Sequence, residues 1–191
     1  SESICLANIA IVYSLQGNFE KSSFYIQKQI KIAGKILNQE GLFRAYTNLG
    51  INSLNLRNLN SAGRNFRKAI LIADRYKLML NLELTQLYYA ETLYQKGSFS
   101  EAIKYSQLAS SNSKRTNNIL SLIYSECIYH KSMICTALKL TSDVNCTVNK
   151  AMPEFLNKMN NLLNRCTRSE EKATVCYEVF EVIRVFRKFK I

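Results

Sequence analysis

The stretch Thr47–Ala73, TNLGINSLNLRNLNSAGRNFRKAILIA, reads as two amphipathic helices joined by a tight polar turn at Arg57-Asn58. Phe66, Ala69, Ile70 and Ala73 follow the i, i+3, i+4, i+7 spacing that gathers side chains on one helix face. Small residues stand where the two helices must touch.

The stretch has a counterpart on each side. Gly17-Asn18-Phe19 and Gly97-Ser98-Phe99 are 80 residues apart, and Arg57-Asn58-Leu59 lies 40 from each. Upstream of these turns stand Ile9-Ala10, Leu49-Gly50 and Tyr89-Ala90; downstream stand Ser22, Ala62 and Ala102, then Gln29, Ala69 and Ala109. A small side chain lets a neighbouring helix come close, so its recurrence at a fixed interval sets a packing distance that repeats along the chain. Self-similarity at this period marks a stacked helical array. Asn18 and Asn58 are placed to cap the second helix of their copies. Ser98-Phe-Ser-Glu101 is a capping-box pattern, with the Ser98 hydroxyl accepting an orphan amide and Glu101 reaching back.

These residues resemble the tetratricopeptide repeat (TPR) family over roughly residues 3 to 115. Its large–small pair, turn and second-helix small residues are matched by Leu49-Gly50 with Ala62, Phe66 and Ala69; by Tyr13, Gly17, Asn18 and Phe19; and by Gly97, Phe99, Ala102 and Ala109. Arg57 replaces the turn glycine, Ser22 and Gln29 replace alanines, and Ser106 stands where a bulky residue is usual. The 40-residue period implies long repeats, as in Pins-type spindle-orientation regulators, kinesin light chains and rapsyn.

Beyond Lys114 the pattern decays. Ile119–Leu140 is helical and takes the first-helix place of a fourth copy. Residues 141–150 read as a loop, and Met152-Pro153-Glu154 as a helix start, with Phe155, Met159, Leu162, Leu163 and Cys166 as its apolar face. Thr167-Arg-Ser-Glu170 is a capping-box pattern opening a last helix over 168–190, with Cys176, Val179, Phe180, Ile183 and Phe186 inward and a basic, aromatic end. The expected fold is all-α: a right-handed helical-hairpin solenoid of TPR type with a diverged C-terminal helical cap. Residues 1–140 form the array, 141–150 a loop, and 151–191 the cap.

The resemblance implies that function lies on the face formed by the first helices. It places there Asn8 and Ile11; Arg44, Asn48, Ile51 and Asn55; Leu87, Tyr88, Glu91 and Tyr94; and Lys131. A carboxamide both donates and accepts, so Asn48 can pair with a peptide backbone whatever its sequence. The chaperone-binding subclass uses a carboxylate clamp. The matching places are Ala7, Ile11, Asn48, Leu84 and Tyr88, and with only Asn48 kept no tight binding of chaperone C-termini is expected. Ile51, Leu87, Tyr88 and Tyr94 suit a partner with apolar anchors.

The net charge is +12, spread along the chain without a basic block. A diffuse excess favours acidic partners, or is simply a solvated surface. No run of about 18 apolar residues exists to span a membrane. The first residues lack the basic start of a secretory signal, and opening within a helical pattern reads as a fragment or processed chain.

Catalysis is not expected. Cys127 and the single histidine, His130, are i, i+3 in an apolar helix and read as packing residues, and no phosphate-cradling or nucleophile motif occurs. The six cysteines lack C-x-x-C spacing, so neither metal nor cofactor is implied; free thiols in the cytoplasm or nucleus are the simpler reading. Two functions fit: a protein-interaction scaffold gripping an extended or helical segment of a partner, within a multiprotein complex, or RNA binding by a basic helical solenoid.

Overall fold

The computed structural model describes residues 2–140 and 144–188, with the side chains of 2–137 and 151–185. Nine α-helices and no strands occur among the described residues: α1 (Glu2–Leu15), α2 (Phe19–Lys35), α3 (Gln39–Asn55), α4 (Leu59–Tyr76), α5 (Leu82–Gln95), α6 (Phe99–Thr116), α7 (Ile119–Leu140), α8 (Val144–Arg165) and α9 (Ser169–Lys188). They form two compact units, Ser1–Thr92 and Leu93–Ile191.

In the first unit α1 packs on α2, α2 on α3 and α3 on α4, while α1 also touches α3. One core gathers Ala10, Ile26 and Ala45; another gathers Phe43, Ala69, Ala73 and Leu82. In the second unit α7 packs on α6, α8 and α9 around Ile123, Ile134, Phe155, Met159 and Val182.

The corners recur every 20 residues. The amides of Asn18, Asn38, Asn58, Leu78, Ser98 and Asn118 each donate to the carbonyl five residues earlier, at 2.8–2.9 Å. The residue before each donor is left-handed: Gly17 and Gly97 at φ of 75° and 76°, and Leu37, Arg57, Lys77 and Asn117 at 53° to 58°. This is a Schellman-type stop that satisfies the last carbonyls of a helix. Arg57 therefore departs from the repeat pattern in sequence and keeps it in conformation. The backbone bond across the corner is kept whichever residue stands there, at the cost of strain where glycine is absent.

Asn18 and Asn58 cap as expected, accepting from the amides of Lys21 and Ser61 at 3.1 Å. Asn38 and Asn118 do the same for Gly41 and Ser121. Ser98 does not: it occupies the cap position with no side-chain cap bond. Its backbone, φ −85° and ψ 63°, is close to that of Asn58, φ −87° and ψ 75°.

Three C-terminal expectations are corrected. The loop at 141–150 is helical from Val144 onward, and Pro153 sits inside α8, while 141–143 lie outside the described residues. A proline within a helix removes one bond and crowds the preceding turn, costing about 3 kcal/mol. The buried face of Phe155, Met159, Leu162 and Cys166 opposes that cost. On α9 the buried stripe is Glu171, Val175, Glu178 and Val182, whereas Cys176 is exposed and Phe180 is 57% exposed. An apolar-only reading misses this phase because Glu178 is buried as the partner of Lys131, at 3.4 Å. Phe186 and the basic end beyond it lie outside the described side chains. The cap of α9 is also one residue later than expected, with the Arg168 amide donating to Glu171 at 3.4 Å. The Arg168 guanidinium, 2.6 Å from Glu171, holds that carboxyl below the usual carboxylate range.

Candidate functional site

Arg44, Asn48, Ile51 and Asn55 are spaced i, i+4, i+7, i+11 along α3, so they share a stripe. Asn8 and Ile11 stand on α1, which touches α3. Two clefts open there. One, of about 310 Å³, is lined by Asn8, Ile11, Gln29, Arg44 and Asn48 among others. The other, of about 180 Å³, is lined by Ile11, Ser14, Asn48, Ile51 and Asn52 among others. Ile11 and Asn48 belong to both, so the clefts adjoin.

The side chains differ in how free they are. Arg44 is held by Glu40 at 2.6 Å, with both side chains about half exposed; a pair so open to water stabilises little. Asn55 donates to its own helix, to the Ile51 carbonyl at 3.0 Å. Asn48 is half-buried at the junction of the clefts.

Farther along the first unit, Tyr88 is half-buried and stacked on Phe66, with ring centres 6.2 Å apart. Glu91 is also half-buried. Leu87 is only 6% exposed and is not presented as an open anchor. Over residues 82–92 α5 is buried on more than one side, with Glu83, Thr85, Gln86 and Thr92 as well as Leu82, Tyr89 and Ala90 at 7% exposed or less. In the second unit Tyr94 lies against Phe99, ring centres 5.8 Å apart. Lys131 is tied down by Glu178 rather than offered to a partner.

Sequence reasoning missed Asn52, which is 1% exposed. Its amide donates to Ser22 at 2.8 Å and Ser23 at 3.3 Å, and its oxygen accepts from Ser14 at 3.2 Å. Ser22 in turn donates to the Ala10 carbonyl at 2.8 Å. The signal was present: Ser22 replaces a repeat alanine, and the substitution brings a hydroxyl that completes a buried network.

The second unit has a polar cleft of about 340 Å³ between α6, α7 and α8. Buried Glu126 accepts from Ser110 at 2.9 Å and pairs with Lys158 at 3.3 Å. His130 Nε2 stands 4.0 Å from Glu126, and burial lowers the imidazole pKa to about 4, Lys158 acting in the same direction. Burial pushes the Cys127 thiol up, with Glu178 adding to the effect. A thiolate at Cys127 is therefore strongly disfavoured, which suits packing rather than nucleophilic attack. Cys5, Cys127, Cys166 and Cys176 are free thiols; the side chain of Cys146 lies outside the described residues. Among the described residues no three His, Cys, Asp or Glu side chains stand together as a metal site, and no helix is long and apolar enough to cross a membrane.

No family model matches the chain, and no curated protein matches it. Solved structures do. A Podosopora anserina protein assigned as a kinesin light chain, with nearly identical TPR-like repeats, aligns at a TM-score of 0.72 and 14% identity, over 98% of this chain and 89% of that one. The apo form of RapI aligns at 0.58 and 12% identity, over 98% and 69%. A signal-transduction ATPase with a tetratricopeptide repeat sensor, from Pyrococcus horikoshii, aligns at 0.53 and 15% identity, over 98% and 36%. At these identities the likeness establishes the fold, and the chain is an all-α, TPR-like helical solenoid.

Proposed function

We propose that the chain is a non-catalytic protein-interaction scaffold that holds a segment of a partner protein, extended or helical, on the α1–α3 face of the first unit. One observation carries the reading: Asn8, Ile11, Arg44, Asn48 and Ile51, chosen from sequence as a contact surface, line two adjoining clefts. Ile11 and Ile51 supply apolar anchors and Asn48 an amide that pairs in both directions. The net charge of +12 favours an acidic segment. The fold it shares with repeat proteins supports membership of a multiprotein complex, in cytoplasm or nucleus. The 40-residue period, with Asn48 on the contact face, supports likening the array to long-repeat, Pins-type regulators. Within this scaffold residues 1–140 act as the array, and the helices of 151–191 cover its last apolar face.

The test is affinity capture by the full chain against an Asn48→Ala, Arg44→Ala double variant. Both positions face solvent at least in part, so the fold survives the change. Loss of the principal captured protein supports the reading; undiminished capture overturns it. Single-stranded RNA at low salt is the control. Salt-sensitive capture of RNA in place of any protein would replace a protein-binding role with a phosphate-binding one.

A further inference from the structure

The buried faces of α2 and α4 keep one phase. Ser22, Ile26, Gln29 and Ala33 are buried on α2, and Ala62, Phe66, Ala69 and Ala73 at the same repeat positions on α4. Two residues past each of these, about 200° around the helix, runs a row of side chains directed away from the core. On α2 the row is Phe24, Lys28, Lys31 and Lys35; on α4 it is Arg64, Lys68, Leu71 and Arg75. All eight are exposed, and both helices pack on α3. The rows lie outside the α1–α3 clefts. Charge that forms no block in the sequence is thus gathered by the helical period.

The two rows hold six cations and no carboxylate. Among the described residues none of the six makes an ion pair. Lys28 Nζ stands 4.4 Å from the centre of the Phe24 ring, and Lys68 Nζ 5.3 Å from that of Tyr46. Like charges left without partners repel, and an anionic surface relieves that repulsion.

The apolar members say which anionic surface. Phe24 is 53% exposed and Leu71 59%. On α6, taken by itself, the same row is Lys104, Leu108, Ser111 and Arg115, with Leu108 40% exposed. One exposed apolar side chain is ordinary. One among cations in each of three successive rows is a pattern. Nucleic acid offers phosphates to the cations and bases to aromatic rings. It has no use for a leucine, and the face of the Phe24 ring is taken by Lys28. A bilayer offers headgroup phosphates above an acyl boundary, which suits long cationic side chains with an apolar residue between them.

We propose that the outward rows of α2 and α4 are a docking surface for an anionic lipid bilayer. Lys28, Lys31, Lys35, Arg64, Lys68 and Arg75 meet headgroup phosphates, while Phe24 and Leu71 enter the interface between them. The chain lies on the membrane without crossing it.

The experiment is co-sedimentation of the full chain with vesicles of phosphatidylcholine alone, or with phosphatidylserine as about one lipid in three. Binding is expected only to the second, and is weakened by salt. Lys28→Gln, Lys68→Gln, Arg75→Gln together should weaken it about 100-fold, each cation near the surface contributing about fivefold. Lys77→Gln, Lys96→Gln, Lys172→Gln removes as much charge off the rows and should weaken it less than about tenfold. All six positions are exposed, so both variants fold. The chain has no tryptophan, so Leu71→Trp adds a single reporter whose emission should shift to the blue on the anionic vesicles. Failure to bind those vesicles overturns the proposal. So does an equal loss in the two triple variants, which would make net charge alone responsible. Unshifted emission from bound Leu71→Trp overturns it too. Duplex RNA held by the row cations, with no vesicle binding, would replace the bilayer with a nucleic acid.

Discussion

The ring of Phe66 lies so close over Gly50 that a Cβ at position 50 would meet its Cε1 at 2.6 Å. Phe66 is fully buried and stacks on Tyr88, which restricts how far the ring can shift. The previous repeat carries Ala10 where Gly50 stands and Ile26 where Phe66 stands, and those two share a core. Between these two repeats the larger second-helix residue stands with the smaller first-helix neighbour. Glycine here serves close approach rather than a turn, since Gly50 is helical.

Gly50→Ala is accordingly destabilising although alanine is the better helix former. Helix propensity returns about 1 kcal/mol, and overpacking a rigid core removes about 1–3 kcal/mol or more. A net loss of up to about 2 kcal/mol is expected in urea unfolding. Phe66→Leu combined with Gly50→Ala should recover most of it. A Gly50→Ala chain as stable as its parent would show that the ring has room to move.

Asn52 and Ser22 form the next relationship that stability can read. Ser22→Ala restores the usual repeat residue, yet leaves the Asn52 amide with only the 3.3 Å contact to Ser23. The Ala10 carbonyl loses its extra donor as well. A loss of about 1–2 kcal/mol is expected, against a neutral result if the hydroxyl contributes nothing. The double variant Ser22→Ala, Asn52→Leu should be less destabilised than the sum of the two single changes, because no polar group is left stranded.

How much of this was legible follows from what each position asks of its residue. The hairpins were readable because spacing, small contact residues and Asn caps all repeat, and each reports a local requirement. Arg57 hid a left-handed corner, since the conformation is imposed by neighbouring helices rather than by its own side chain. The phase of α9 was hidden because its inward face includes Glu171 and Glu178, whose burial depends on partners. The stripe of Arg44, Asn48, Ile51 and Asn55 on α3, proposed as a contact face, follows from their i, i+4, i+7, i+11 spacing. Gln29 was visible only as an irregularity in the repeat, because burial of a polar side chain is not displayed by a one-dimensional pattern.

Arg57 gives a prediction with the opposite sign. It is exposed at φ 58°, where a side chain is strained by about 1 kcal/mol. Arg57→Gly should stabilise the first unit by up to about 0.5 kcal/mol, the relief of strain exceeding the added freedom of the unfolded chain. The same change at Gly17 in reverse, Gly17→Arg, should destabilise by a similar amount, because its φ of 75° suits glycine alone. Melting temperatures of the two variants should therefore move in opposite directions.

Lys131 and Glu178 fasten α9 to α7 with both side chains mostly out of water, 16% and 10% exposed. Removing one member strands the other. Lys131→Met alone, or Glu178→Leu alone, should lose about 3 kcal/mol, while the double change should lie within about 1 kcal/mol of the parent. Hydrogen exchange of α9 amides separates the two cases, rising sharply in each single variant and little in the double. Fast exchange in the double variant as well would mean that the pair contributes attraction of its own.

His130 makes acid stability a test of the second unit's core. Tyr129 and Phe155 crowd the ring, and Glu126, Glu154 and Lys158 are the charges nearest it. Burial, aided by Lys158, lowers its pKa from 6.5 to about 4, and Glu126 and Glu154 offset only part of this. The unfolded chain therefore binds a proton near pH 6.5 that the folded chain refuses until about pH 4. Stability is complete above the higher value and falls through the interval, by up to about 1.4 kcal/mol per pH unit. His130→Leu removes the titrating group and should flatten the decline between pH 6.5 and 4 while leaving stability at pH 8 within about 2 kcal/mol of the parent. Urea unfolding at four or five pH values across that interval decides it: parallel curves for the two proteins would mean that another buried group sets the acid limit.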